Sequence, residues 1–351
     1  VQTCALPIWH LPKLQNGYCM YKFFLQKTDL NEATYYYVEI IRKALILSGE
    51  EVEYVSSLKQ IASSDKVLTI QAKAFLLVWL RNPKQYLTIW FQGVIPEEAM
   101  CQFENSLSKY FRKALWEFLE RFALRHAKKI FFVSETMLRH YKKKYGYAKN
   151  NYFIMPCFNQ ELDLSCFTVD KYKSPSFVYA GSMSRWQCID ETLLLYKKIK
   201  QQFPQATLTL LTKEQEYAKQ LCEKYHVETD IQFVPSNELQ DKLKEYKYGF
   251  IVRDDITVNN VATPTKMNSY MAAGVIPVYS DVIGDFKSQF SGVSYTVSFH
   301  SIQECLDKIV ELEKNPVCIG KIKEEYADVF SNYYSTDKYL KLLNREFLTK
   351  N

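Results

Sequence analysis

The stretch V-R-D-D-I-T-V-N-N-V-A-T-P-T-K-M-N-S-Y-M-A-A-G-V-I-P-V-Y-S-D-V-I-G-D-F, Val252 to Phe286, decides how the chain is read. It is entered from the apolar run Tyr248 to Val252, which has the length of a buried strand. A polar loop follows and ends in Thr263-Pro264-Thr265-Lys266. A short helical pattern then runs to Ala273, Gly274 supplies the stop, and Val275 to Tyr279 is a second buried strand. Strand, polar loop, helix start and strand is the layout with which an α/β sheet holds a phosphate, because free N–H groups and the positive end of the helix dipole face the ligand. Lys266 in that first turn opposes the dipole by roughly a few tenths of a kcal/mol, so its position makes sense with an anion between the two.

The same alternation extends in both directions. Upstream lie a strand at Ser176 to Ala180, the loop Gly181 to Gln187, a helix from Ile189 to Lys200, a strand at Ala206 to Leu211, a helix from Lys213 to Lys224, a strand at Ile231 to Val234 and a helix from Asn237 to Lys247. Helical patterns at Ser301 to Glu313, Lys321 to Phe330 and Thr336 to Leu348 follow. The first half has its own strands at Tyr21 to Leu25, Val52 to Val55, Lys66 to Ile70, Tyr86 to Phe91, Lys129 to Val133 and Tyr152 to Met155, separated by helical patterns, one of which opens at Asn31. Strands alternating with helices predict an α/β chain with parallel sheets, and two such units in succession predict two Rossmann-like, doubly wound domains facing across a cleft. The expected division is 20–165 and 166–335, with Gln160 to Pro175 as the polar linker and the last helix, 336–351, crossing back to the first domain. Residues 1–19, whose opening V-Q-T-C-A-L-P-I has an adapter-like look, are expected to stand outside the fold.

Composition narrows the class. With 351 residues, 15% aromatic and only 10 Gly, the chain has the material for large cores. It has no run of 18 apolar residues. Nine Cys without a C-x-x-C pair and five His without an H-x-x-x-H pair favour reduced thiols and argue against a zinc or His-rich metal centre. The net charge of +6 is uneven: residues 101–150 hold 12 Lys and Arg against 4 Asp and Glu, so this segment carries +8 and the rest −2. A local basic excess suits an anionic membrane surface or an acidic ligand rather than general nucleic-acid binding. Within it, Leu107, Phe111, Leu115, Phe118, Leu119 and Phe122 fall at helical spacing, with Lys109, Arg112, Lys113, Arg121 and Arg125 between them. The stripe reads either as a core-facing helix with a solvated basic rim or as a helix that docks on anionic phospholipid.

Three loops at strand ends carry candidate chemistry. Gly181 permits close backbone approach, Ser182 and Ser184 offer hydroxyls, Arg185 a bidentate grip on phosphate and Trp186 a face for a base. The alternative for this loop is a tight turn with an exposed Arg. Arg253 directly follows a buried strand, where its charge requires a partner, either a phosphate or the neighbouring Asp254 or Asp255. In the first half, Gln92-Gly93-Val94-Ile95-Pro96-Glu97-Glu98 follows the fourth strand, where open α/β sheets bind ligands.

These segments resemble the retaining glycosyltransferases of family 4, with their GT-B architecture. The resemblance covers essentially Met20 to Asn351 and is strongest in F-V-Y-A-G-S-M-S-R-W-Q (Phe177 to Gln187) and A-T-P-T-K-M-N-S-Y-M-A-A-G-V-I-P-V (Ala262 to Val278). W-F-Q-G-V-I-P-E-E, F-F-V-S-E-T-M and I-M-P-C-F-N look like the branch that builds capsule or exopolysaccharide. The resemblance implies a nucleotide-diphosphate sugar on the second domain, a glycan or lipid-linked acceptor on the first, and neither metal nor other cofactor. It implies donor contacts from Gly181, Ser182, Arg185, Trp186, Gln187, Thr263, Pro264, Thr265 and Ser269, catalytic cations at Lys266 and Arg253, and an acceptor side at Gln92, Gly93 and Glu97. The chain departs from the family in three places. Val261 and Ser269 stand where a Glu pair is common, Ser182 and Gln187 where an Arg and a Lys are usual, and Gln92 where a His is frequent.

The expected function is therefore a cytoplasmic hexosyltransferase-type enzyme, peripheral at the inner membrane face, in cell-surface polysaccharide synthesis. A nucleotide-sugar epimerase and a non-catalytic GT-B scaffold are the alternatives. An NAD enzyme is disfavoured, because neither first strand is followed by G-x-G-x-x-G.

Overall fold

The structure, a computed structural model, describes residues 19–26, 29–30, 32–102 and 108–348. The expected leader, apart from Cys19, lies outside these residues, as do Asn31 and Leu107. The first half holds β1 (Tyr21–Phe24), α1 (Glu32–Leu47), β2 (Val52–Val55), β3 (Lys66–Thr69), α2 (Ala72–Arg81), β4 (Tyr86–Phe91), α3 (Ile95–Gln102), α4 (Ser108–His126), β5 (Lys129–Phe132), α5 (Glu135–Tyr145) and β6 (Tyr152–Ile154). Its six strands form one parallel sheet in the order β2-β1-β3-β4-β5-β6. β1 and β5 are buried along their whole length and β3 and β4 after their first residue, because helices cover both faces of a parallel sheet. Tyr37 of α1 stacks on Trp90 of β4 with ring centres 3.8 Å apart, both sealed from solvent.

The second half repeats the plan with β7 (Ser176–Ala180), α6 (Ile189–Gln202), β8 (Thr207–Leu211), α7 (Gln215–Tyr225), β9 (Asp230–Gln232), α8 (Ser236–Leu243), β10 (Tyr248–Ile251), α9 (Thr257–Asn260), α10 (Thr265–Ala272), β11 (Ile276–Ser280), α11 (Gly284–Gln289), β12 (Val297–Phe299), α12 (Ile302–Lys314) and α13 (Ile319–Asn332). The sheet is again parallel, ordered β12-β11-β10-β7-β8-β9. Phe177 of β7 stacks between Tyr248 and Phe250 of β10, with ring centres 4.8 and 5.2 Å away. Truncating such a ring to Ala costs about 3–5 kcal/mol in transfer and cavity terms. α14 (Thr336–Leu348) packs on α1, with Phe347 against Tyr21 and Glu346 paired to the buried Lys129.

The polar segment after β6 is held rather than loose. Two 3-10 turns, Leu164–Cys166 and Asp170–Tyr172, press on the end of α10, and Tyr172 donates to the Gly274 carbonyl at 2.6 Å. Gly274 has φ +68°, and a Cβ there would stand 3.1 Å from both Cys166 Sγ and Tyr172 Oη. Handedness and space both demand glycine at this stop.

The two halves meet through polar contacts from α10 and α11 of the second half to α5 and the segment after β6 of the first. Asp285 accepts from the N–H groups of Glu135 and Thr136 at 2.8 and 2.9 Å and from the Thr136 hydroxyl at 2.7 Å, which seats an acid on the first turn of α5. Asn268 accepts from the N–H groups of Asn159 and Gln160 at 3.0 and 2.8 Å and donates to the Gln160 carbonyl at 3.0 Å.

The structure corrects the reading of α4 as a core-facing helix. Its core side carries Leu119, Glu120, Ala123 and Leu124, while Phe111, Leu115 and Phe118 are 75%, 46% and 57% exposed. Glu120 is fully buried on the inner face, where its carboxylate accepts from Tyr141 and Tyr145 hydroxyls at 3.0 and 2.7 Å. A periodic apolar stripe marks one face of a helix and does not say whether that face looks in or out. The single helix expected after β4 is two, α3 and α4. The one-turn α9, the six-residue α11 and the three-residue β12 are too short to leave a periodic signal. Among the described residues no helix is long and apolar enough to cross a membrane.

Candidate functional site

Two loops at the carboxyl edge of the second sheet converge. β7 ends at Ala180, and the chain turns through Gly181 at φ +147°, which side-chain-bearing residues rarely adopt. The turn also lacks room for a side chain, since a Cβ on residue 181 would stand 2.6 Å from Lys266 Cε and 2.7 Å from its Nζ. Lys266 therefore lies across the glycine. Its ammonium is 4.3 Å from the centre of the Tyr179 ring, donates to the Tyr179 hydroxyl at 3.1 Å, and donates to Gln187 Oε1.

Arg253 leaves the end of β10 and is 7% exposed. It does not pair with Asp254 or Asp255, both of which are exposed. Its Nη2 donates to Gln187 Oε1 at 2.7 Å, and its Nη1 donates to the carbonyls of Gln187 at 3.2 Å and Val252 at 2.8 Å. Its backbone N–H donates to Ser280 Oγ at 2.9 Å. Two cations thus share one neutral amide oxygen, and among the described residues neither has an acidic partner. Burial, with the positive charge of Arg253 adding to it, holds the Lys266 ammonium well below the usual lysine range, and burial lowers Arg253 as well. A bound anion would reverse both shifts.

The start of α10 adds to this field. Pro264 occupies its N-cap without a side-chain hydrogen bond, and no acid lies in its first turn. Thr265, Lys266 and Ser269 line a cleft of about 510 Å³ together with Gly181, Asn159 from the first half, and Ser236 and Leu239 of α8. The other expected donor residues are placed differently. The Thr263 hydroxyl accepts from the Cys157 N–H at 3.1 Å, across the junction between the halves. Ser182 and Ser184 hydroxyls lie 3.1 Å apart. Arg185 is exposed and Trp186 partly so, in a 3-10 turn that ends at Gln187, and neither lines the cleft. Val261 is buried, and its carbonyl accepts from the Ser134 hydroxyl, so its place serves the contact between halves.

At the same edge of the first sheet lies a second cavity, about 370 Å³, lined by Asp29, Gln71, Gln92, Gly93 and Glu98 among others. Glu97 is not part of it. Its carboxylate meets Lys144 at 2.6 Å and lies 3.3 Å from His140. Burial alone would raise Glu97, but these two partners hold it below its usual range. Its neighbour Glu98 faces the cavity, and burial raises it. Sequence reasoning missed Glu98, Asp29, Tyr179, Asn159 and Leu239. Of these, Glu98, Tyr179 and Asn159 stand inside segments already quoted, without a role of their own. The others become visible when strand order brings distant loops together.

No family model and no curated protein matches the chain. Solved structures do. Sucrose-phosphate synthase from Thermosynechococcus elongatus superposes with a TM-score of 0.70 at 11% identity, covering 95% of this chain and 100% of that one. HepE from Anabaena, in complex with UDP and glucose, gives 0.65 at 13% identity, covering 94% and 99%. The chain has the GT-B fold. TarM of S. aureus, as a variant in complex with fondaparinux, alpha-GlcNAc-glycerol and UDP, gives 0.60 at 13% identity, covering 83% of this chain and 56% of that one. The GT-B chain described here thus spans little more than half the length of TarM.

Proposed function

We propose that the chain is a retaining glycosyltransferase that moves a sugar from a nucleotide-diphosphate donor to a glycan or lipid-linked acceptor in cell-surface polysaccharide synthesis. The observation that carries this reading is the pair of inward cations, Lys266 and Arg253, converging on one oxygen beside the uncapped start of α10. In the reaction the bond from the anomeric carbon to the diphosphate breaks, and the diphosphate departs with the electron pair. The acceptor oxygen bonds to the same carbon, and its proton passes to the departing phosphate oxygen. Negative charge grows on the departing phosphate, where preorganised positive charge accelerates the step most. Leu239 and Ser236 of α8 flank the same cleft and would hold the nucleoside. The acceptor would enter from the first sheet, beside Gln92, Gly93 and Glu98. HepE with UDP and glucose, and TarM with UDP and alpha-GlcNAc-glycerol, support the ligand class in the same fold.

Thermal shift against UDP, GDP, TDP and CMP tests the reading. One of them should stabilise the protein clearly, by ~2.7 kcal/mol at about 100 times its Kd. A flat response to all four would overturn it. Retention is checked separately by the anomeric configuration of the product in NMR, and an inverted product would remove that part. The missing carboxylates at Val261 and Ser269 favour a second reading, a scaffold that binds nucleotide without turnover. It predicts a thermal shift with no sugar release.

The reading also places the work at the cytoplasmic face of a membrane. Phe111, Leu115 and Phe118 stand exposed along α4, with Arg112, Arg121 and Arg125 exposed on the same helix, a composition suited to anionic lipid. Sedimentation with anionic vesicles should capture the protein, and Phe111→Glu/Phe118→Glu should release it. Equal capture by zwitterionic vesicles would refute the electrostatic part.

A further inference from the structure

The atom at the centre of the cation pair belongs to the protein itself. Gln187 Oε1 receives Lys266 Nζ from α10 and Arg253 Nη2 from the end of β10, and Tyr179 Oη from β7 lies 3.4 Å away. The Tyr179 hydroxyl gives its one proton to the Ser182 carbonyl, so two charged donors from two separate elements point at one oxygen. Donors fixed around a point define where an acceptor belongs. Here the acceptor is an uncharged amide, weaker than a carboxylate or phosphate oxygen in the same position, although both donors carry full charge. Left empty, the position would strand inward-facing donors, so the free protein needs an occupant. Gln187 is suited to leave. It closes a 3-10 turn of three residues, none of them buried, and the next residue, Cys188, reverses the chain at φ +52° before α6 begins.

We propose that Gln187 is a displaceable stand-in whose amide oxygen holds, in the free protein, the position that a donor phosphate oxygen takes on binding. The proposal rests on the nucleotide-diphosphate reading for the identity of the ligand. The geometry itself requires only an oxyanion. A phosphate oxygen arriving in the cleft brings the charge that the amide lacks. Both cations then exchange a neutral acceptor for an anionic one, and the Gln187 side chain withdraws. Arg253 keeps its grip on the Gln187 carbonyl during the exchange, because that contact is made by Nη1 and does not involve the amide. Gln187 thus sets donor affinity by competition, without touching the reacting atoms.

The experiment is calorimetric titration of wild type, Gln187→Ala and Gln187→Glu with inorganic pyrophosphate and with UDP, GDP, TDP and CMP, together with the melting temperature of each free protein. Gln187→Glu installs a permanent internal anion. It should raise the melting temperature of the free protein and weaken pyrophosphate binding about tenfold or more, the factor that follows from losing one charge-assisted hydrogen bond. Gln187→Ala removes the competitor. It should lower the melting temperature yet bind pyrophosphate at least as tightly as wild type. Weaker binding by Gln187→Ala would show that Gln187 positions the cations in the bound state, and would overturn the proposal. Binding of pyrophosphate but no nucleotide, with the expected order of variants, would sustain the stand-in and sink the nucleotide reading. Binding of a nucleotide with the reverse order would do the opposite. No binding of any anion by wild type or Gln187→Ala would sink both.

Discussion

At the carboxyl edge of the first sheet, Glu97 meets Lys144 and lies beside His140, and Glu120 is held by two tyrosine hydroxyls. At the same edge of the second sheet, Lys266 and Arg253 share one amide oxygen and no acid. Among the described residues both halves have six parallel strands, with one strand outside β1 in the first sheet and two outside β7 in the second. The two edges also differ in charge balance. The first half pairs the Glu97 charge with Lys144, while the second leaves two cations at a cleft without an acid among the described residues. Charge left unpaired at a cleft is what a bound anion would neutralise, which is why we propose the second edge as the site of the chemistry.

Four substitutions probe that contrast. The largest effect is expected from Lys266→Ala, which should lower turnover by on the order of 10²-fold or more, as for loss of one preorganised charge stabiliser. Sugar release near the wild-type rate would remove Lys266 from the mechanism. Gly181→Ala comes next, because its Cβ would stand 2.6 Å from Lys266 Cε and the backbone is strained for any side chain. Pushing the ammonium off its seat should weaken diphosphate binding about tenfold. Unchanged calorimetric affinity would mean that the lysine position is not critical.

Much of this was legible in the sequence. The strands from Tyr21 to Tyr279 announced themselves as short apolar runs, since parallel strands are buried on both faces and need no alternation. Lys266 and Arg253 stood out because a cation at a helix start and a cation after a buried strand each demand an explanation. Gln187 was singled out only as a donor contact, and nothing in its immediate neighbours says that its oxygen would join two cations 66 and 79 residues away. Glu97 and Glu98 are adjacent and chemically alike. Only the packing of α5 against α3 decides which of them faces the cavity. The outward stripe of α4 was hidden by the symmetry of helical periodicity, which is the same for a core face and for a docking face.

The remaining tests concern pH. Lys266 is lowered in the folded protein, so the folded state holds fewer protons than the unfolded one between that lowered value and 10.5. The free protein should therefore gain stability as pH rises through this window, while diphosphate affinity falls. Lys266→Met should flatten both trends, and parallel curves for variant and wild type would refute the assignment. Glu120 has the opposite sign. Burial raises it from 4.5 to about 8, so its contribution to stability is complete below 4.5 and is lost as pH rises through about 8. Glu120→Gln should melt near wild type at low pH and above it at pH values beyond 8. On diphosphate binding this is the smallest of the expected effects, because the substitution should leave that affinity untouched. A change in binding would mean that the two edges are coupled.

Asp285 and Asn268 give the junction a mechanical character. Asp285 seats on the first turn of α5, and Asn268 clasps the backbone at Asn159 and Gln160. A single peg between two bodies stops sliding but still permits a swivel about its own axis, whereas two pegs set apart also stop the swivel. In this state the halves are therefore dowelled together. Any swivel that parts the halves at this junction must draw out at least one dowel.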